Sequence, residues 1–280
     1  MNRFQPPAAV ANCLFVVWVN NADFVGDMNS PRVGSPAGAP NNGTNLSAWI
    51  VAINQHLAND YNIITNLYAK GCRVLVAPNV TNVTAVPEFN QSPSAWRAFV
   101  RQRIIGFNTN YMAMLNQITA GSPGLRIYVP DVFQLLDNVL TNAAFYGLTN
   151  ALLAGQPIDA VDALPGVALN GAGNNYVFWD CLGNPNAKMH EVLADIVQQM
   201  ISPVQFSRII PGSGSNRLDM VNLPIGMSGW VCCATNLSLP VWQTNSFVLS
   251  GDSATQSIFV SRSGAQQFYR LDFPWQWSWP

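Results

Sequence analysis

The 280 residues predict an α/β fold followed by a smaller all-β part. Short apolar runs alternate with long helical periodicities as far as residue 202, and the periodicity stops after Pro203. Hydrophobic residues make up 49% of the chain and charged residues only 10%, which excludes a disordered chain and permits a sizeable core.

Each element has its own signature. Cys13–Val19 (CLFVVWV) is an apolar run bounded by asparagines, the pattern of a strand buried on both faces. Residues 26–46 are rich in Gly, Pro and Asn and read as a loop. From Ser47 the apolar positions Trp49, Ile50, Ile53, Leu57, Tyr61, Ile64, Leu67 and Tyr68 recur at helical spacing, with Ser47 as the expected cap and Gly71 as the stop. Arg73–Ala77 is a second buried strand. A long helix is predicted over 94–119, with Trp96, Phe99, Val100, Ile104, Phe107, Tyr111, Met114, Leu115 and Ile118 inward. Leu125–Val129 is a third strand, and Pro130 and Asp131 open a further helix. Residues 141–175 read as loop, Tyr176–Trp179 as a short apolar segment, and 186–200 as a last helix. Strand–helix–strand order implies a parallel sheet with right-handed crossovers.

After Pro203 the β-type runs are 229–233, 240–242, 246–249, 256–260 and 267–271, spaced as in a small β-sandwich. The Gly/Ser-rich PGSGSN stretch marks the expected boundary, which gives domains 1–205 and 206–280. Trp275, Trp277 and Trp279 alternate in the tail.

Composition narrows the function classes. The net charge is −1 with no basic run, so nothing marks a nucleic-acid surface. No run reaches the ~18 apolar residues of a membrane span. The five cysteines show no zinc-type spacing, and no metal or organic cofactor is implied. The loops are full of uncharged polar residues and lysine is scarce, a composition of exported proteins, although no signal peptide is visible at Met1–Asn12.

Ligands of parallel α/β sheets bind beyond the carboxyl ends of the strands. Asn20–Asp23, Pro78–Thr81, Pro130–Asp131 and Trp179–Asp180 end there. The chain has two histidines. His56 is expected on a helix surface. His190 follows Asp180 across a strand-to-helix loop, where a carboxylate orients an imidazole as a general base, or else caps the helix while the histidine faces water. Trp18 and Trp179 are expected in the core.

The order of segments resembles the SGNH/GDSL hydrolases, in the branch with thermolabile haemolysin and plant GDSL esterases. LFVVWVNNADFV (14–25) is similar to the strand that ends in the family's Gly-x-Asn-Asp block. LYAKGCRVLVAPNVTNVTAVPEF (67–89), FNTNYMAMLNQI (107–118) and LRIYVPDVFQLLDNVLTNAAFYGLTNA (125–151) resemble successive family segments. YVFWDCLGNPNAKMH (176–190) resembles the Trp-Asp-x-x-His-Pro-Thr block. The resemblance covers about residues 13–202, and 222–273, with QQFYRLDFP, resembles small β domains that follow secreted bacterial enzymes.

The resemblance implies a flavodoxin-like three-layer sheet and a serine ester hydrolase acting on a small-molecule ester or lipid. It implies Asp180 as the catalytic acid, with Gly183 where the family has its histidine and His190 as the histidine left nearby. Asn20 and Asn21 are the oxyanion-hole candidates, because Ala22 stands at the family's Asn position. The family's Gly-Asp-Ser block does not precede residue 13. Gly251-Asp252-Ser253 spells it in the β region, where a hairpin turn is the expected role, so Ser253 is a poor nucleophile candidate. The expectations are therefore a hydrolase scaffold without its first strand, with residues 13–19 at a sheet edge, little or no turnover, and export of the full-length protein. The alternatives are a non-catalytic glycan- or lipid-binding protein and a β module for cell-surface association.

Overall fold

The structure is a computed structural model. It describes residues 10–18, 20–28, 44–90, 92–148, 152–153, 156–163, 176–223, 228–238, 241–249, 253–262, 264 and 266–272. Two compact units divide the chain, 1–197 and 198–278.

The first unit carries a parallel sheet in the order β1 (Leu14–Val16), β2 (Val74–Val76), β3 (Arg126–Tyr128). Leu14 pairs with Val74, and Val74 with Arg126. Among the described strands β1 and β3 are the edges, and Leu14 and Val16 of β1 are 47% and 62% exposed. The connections are helical: α1 (Asn20–Met28), α2 (Leu46–Ala69), α3 (Pro87–Asn90), α4 (Ser94–Gly121), α5 (Val132–Thr141), α6 (Ala160–Ala163) and α7 (Ala187–Ile201). β4 (Leu152–Leu153) and β5 (Gln156–Pro157) form a minimal antiparallel pair. No described helix is long and apolar enough to cross a membrane.

α4 follows its sequence pattern closely. Trp96, Val100, Ile104, Phe107, Tyr111, Leu115 and Ile118 recur every three or four residues and are all buried. α2 departs from expectation. Its buried face is Trp49, Ala52, Ile53, His56, Asp60 and Ile64, while Ile50 and Tyr61 are exposed. Two ionisable residues therefore occupy core positions, and the apolar stripe read from the sequence is rotated off the true one. Its cap is Asn45, whose Oδ1 accepts from the Ala48 amide at 3.1 Å, rather than Ser47. Asp131 caps α5 in the same way, accepting from Gln134 N at 3.1 Å.

Phe24 of α1 is the centre of the aromatic packing. Its ring meets Phe107 edge-on at 5.2 Å and lies 5.8 Å from Trp49 and 6.3 Å from His56, and Phe107 stacks on Tyr111 at 5.5 Å.

The second unit holds two three-stranded antiparallel sheets. One runs β10 (Thr255–Ser261), β7 (Ser215–Val221), β6 (Gln205–Pro211), and the other β11 (Phe268–Asp272), β8 (Ser228–Ala234), β9 (Gln243–Leu249). Leu218 and Met220 from the first sheet and Val231 from the second share one core cluster. The PGSGSN stretch is not a linker. It is the turn of the β6–β7 hairpin, with Pro211 opposite Asn216. The run expected at 246–249 lies in β9, Val241 and Trp242 of the strand expected at 240–242 are in no strand, and Pro240 and the tail indoles lie outside the described residues.

Phe24→Ala removes the hub ring and is expected to lower unfolding stability by about 3–5 kcal/mol. Val16→Lys, on the exposed edge, is expected to change it by no more than about 0.5 kcal/mol. Urea unfolding followed by tryptophan fluorescence distinguishes the two.

Candidate functional site

A cleft opens beyond the carboxyl ends of the parallel strands. Trp18 and Asn21 follow β1, Thr81 follows β2 and Val132 follows β3. The other walls are Val86, Leu136, Val177, Phe178, Gly183, Pro185, Met189 and Leu193. Trp18 is 36% exposed and belongs to this cleft, which corrects the expectation that it is core.

Amide side chains hold the floor loops in place. Asn108 of α4 grips Val80 from both sides: its Oδ1 accepts from Val80 N and its Nδ2 donates to Val80 O, each at 2.9 Å. Asn79 Nδ2 donates to Asp131 Oδ1 at 2.8 Å while its Oδ1 accepts from Phe133 N at 3.1 Å. Asn21 Oδ1 accepts from Thr81 N at 3.0 Å and from the Thr81 hydroxyl at 3.3 Å. Each bond satisfies backbone or amide groups in a loop that lies outside the sheet ladder. Arg101 clamps Asp137 with two guanidinium bonds, of 3.1 and 2.5 Å, and stacks 4.5 Å over Phe133, joining α4 to α5.

The two oxyanion candidates part company. Asn21 lines the cleft. Asn20 is buried and turned into the helical layer, where its amide nitrogen, facing Asp60, donates to Oδ2 at 2.9 Å and Oδ1 at 3.3 Å.

Asp180 spends its carboxylate on its own loop. Oδ1 accepts from Leu182 N at 3.1 Å and Asn184 N at 3.2 Å, and Oδ2 accepts from Asn184 Nδ2 at 2.7 Å. This is an Asx-type turn, and Trp179 N closes it by donating to Asn184 O at 2.7 Å. α7 is capped by Asn186, whose Oδ1 accepts from Met189 N at 3.0 Å. His190, on the first turn, is exposed; its neighbours Met189 and Leu193 line the cleft. Among the described residues no hydrogen bond joins Asp180 and His190. Ser253 is exposed at a turn, where its Oγ accepts from Thr255 N at 3.1 Å.

Gly183 stands where the resemblance places a histidine. Its φ is +85°, and a Cβ built there would lie 2.5 Å from Val86 Cγ1 and 2.9 Å from Val86 Cβ. Val86 thus takes the space that a side chain at 183 needs.

The histidine expected at the surface is the buried one. His56 Nε2 lies 2.6 Å from Asp27 Oδ2, and Nδ1 lies 3.6 Å from Asp23 Oδ2. Asp60 sits in the same layer. Burial, and then the charge of Asp23, push its carboxyl up from 3.8 to about 7, against the opposing pull of His56. Burial likewise raises the Tyr111 hydroxyl, with Asp60's charge adding to it. Sequence reasoning missed this cluster. The available signal was the i, i+4 spacing of His56 and Asp60 in line with Ile53 and Ile64.

No family model matches the chain. The chain is 22% identical over 192 residues to a GDSL esterase/lipase of Arabidopsis thaliana, an alignment that covers 66% of this chain and 48% of that protein. The chain therefore spans about half the length of the curated relative it matches.

Two predictions follow from these contacts. Because Asp60 binds its proton more tightly when folded, the native state holds more protons than the unfolded state between pH 4 and 7. Its contribution to stability is full below about pH 4 and is lost as pH rises through about 7. Asp60→Asn is expected to flatten that slope and to stabilise the fold at pH 8 by about 1–3 kcal/mol, read from urea midpoints at pH 5 and pH 8. Gly183→Ala is expected to cost about 1–3 kcal/mol, from the positive φ and the contact with Val86. Adding Val86→Ala relieves only the second of these, so a double variant restored to wild-type melting would count against this geometry.

The parallel α/β layer, the cleft beyond its strands and the sequence match together support a distant relationship to the GDSL esterases and lipases.

Proposed function

We propose that residues 1–205 form an SGNH/GDSL-type carboxylic-ester hydrolase scaffold of flavodoxin-like lineage, and that 206–280 form a β-sandwich module. The observation that carries the reading is the position of the cleft. It lies past the carboxyl ends of the parallel strands and is walled mainly by apolar side chains, with the Asn21 amide at its rim. Such a site suits the acyl or alkyl part of an ester or lipid.

We propose little or no turnover by this chain by itself. Ester hydrolysis of this kind needs a hydroxyl nucleophile, a base that takes its proton, and donors for the oxyanion. Asn21 is the one oxyanion candidate of the two that lines the cleft. The one hydroxyl among the described lining residues is that of Thr81, and it donates to Asn21 Oδ1 at 3.3 Å. By the resemblance Asp180 has the chain position of the catalytic acid and Gly183 that of the histidine, His190 being the histidine left nearby, and both Asp180 carboxylate oxygens are taken up within its own turn. The full-length protein is read as exported.

Purified chain incubated with p-nitrophenyl butyrate and, separately, with a fluorophosphonate probe is expected to show no hydrolysis above background and no labelled serine. Probe attached to Ser253, or hydrolysis that disappears in Asp180→Ala or His190→Ala, would overturn the proposal of an idle scaffold.

A further inference from the structure

A second cleft lies wholly within the 198–278 unit and shares no lining residue with the first. β7 and β6 form one wall and β11 with the 262–267 connection the other. Its base is an amide–phenol chain that links the two sheets. Asn216 Nδ2 donates to the Tyr269 hydroxyl at 2.7 Å and to Gln267 Oε1 at 3.4 Å, and Tyr269 OH donates to Gln267 Oε1 at 2.9 Å. Phe206 holds the Tyr269 ring edge-on at 6.3 Å.

Two features point to a ligand. Arg262 is exposed, and its Nε donates to Gly264 O at 3.4 Å, which leaves the two terminal guanidinium nitrogens without a hydrogen-bond partner among the described residues. No carboxylate is among the described residues that line the cleft. The remaining lining pairs neutral amides, from Gln266 and Gln267, with the apolar faces of Phe268 and Pro211.

We propose that this cleft binds a saccharide bearing a carboxylate. The guanidinium fork of Arg262 takes the carboxylate in two parallel bonds. Ring hydroxyls, each both donor and acceptor, match the amides of Gln266 and Gln267 and the Tyr269 phenol. The C–H faces of the sugar pack on Phe268 and Pro211. A polyphosphorylated ligand would call for more cations than one, and a lipid tail for a less polar lining.

The test is calorimetric titration of the full chain with tetragalacturonate at low salt, with neutral galactotetraose and a tetrapeptide with a free carboxyl terminus in parallel. Saturable binding of tetragalacturonate is expected, at least tenfold tighter than that of either companion. Arg262→Gln is expected to weaken it tenfold or more, and Gln266→Ala about threefold. Arg208→Gln, an exposed arginine outside the cleft, is expected to leave it unchanged. Absence of saturable tetragalacturonate binding, equal binding of the neutral sugar, tighter binding of the peptide, or indifference to Arg262→Gln would each overturn the proposal. Ester turnover has no bearing on the result, since no residue of this cleft enters that reaction.

Discussion

The first unit depends on one buried contact, that of His56 with Asp27 across 2.6 Å. α1 has nine residues, follows directly on an edge strand and carries little apolar surface besides Phe24 and Met28. Desolvating a carboxylate and an imidazole is expensive, and removal of either partner takes away the closest contact that compensates the other. The pair therefore adds little to net stability compared with two apolar residues of the same volume, but it fixes register. A one-residue slip of α1 along α2 would leave a buried charge unmatched. With register fixed, Asn20 must face Asp60 and Asn21 must face the cleft.

The same economy runs through the cleft floor. A chain with only 10% charged residues has few ion pairs with which to fasten its loops. It uses asparagine amides, which offer a donor and an acceptor on one planar group and so imitate a strand neighbour. Asn108 does this for Val80, and Asn79 does it between Asp131 and Phe133. Residues that look like catalytic candidates because they are polar and follow strands are in several cases these fasteners. Asp180 is the plainest case, with both oxygens committed within its own turn.

This divides what the sequence makes legible from what it hides. α4 could be read almost residue by residue, because a long helix packed on one side must repeat its apolar positions. α2 could be located but not oriented: its core face includes His56 and Asp60, which any hydropathy reading sends to water. β6 and β7 were missed because β6 is almost wholly exposed and the turn between them imitates a linker, although Leu218 and Met220 alternate inward as a strand requires. The site suffered most. Spacing along the chain placed Asp180 and His190 on one loop–helix unit, but spacing carries no information on which atoms the carboxylate has already accepted.

Position 183 shows why such a site cannot be reasoned about one residue at a time. Exchange of a histidine for another residue would ordinarily leave a gap. Here the residue is glycine with φ +85°, and Val86 reaches to within 2.5 Å of where a Cβ would stand. The backbone has a conformation that side chains avoid, and buried Val86 fills the space a side chain would need. Placing an imidazole on this wall requires a change of φ, retreat of Val86 and release of the Asp180 turn that sets the loop, since Gly183 N also donates to Asp180 O at 3.1 Å. These three adjustments share atoms, so their energies do not add as independent terms. The arrangement is self-consistent as an apolar cleft wall, and that coupling makes a single substitution insufficient to turn it into a catalytic one.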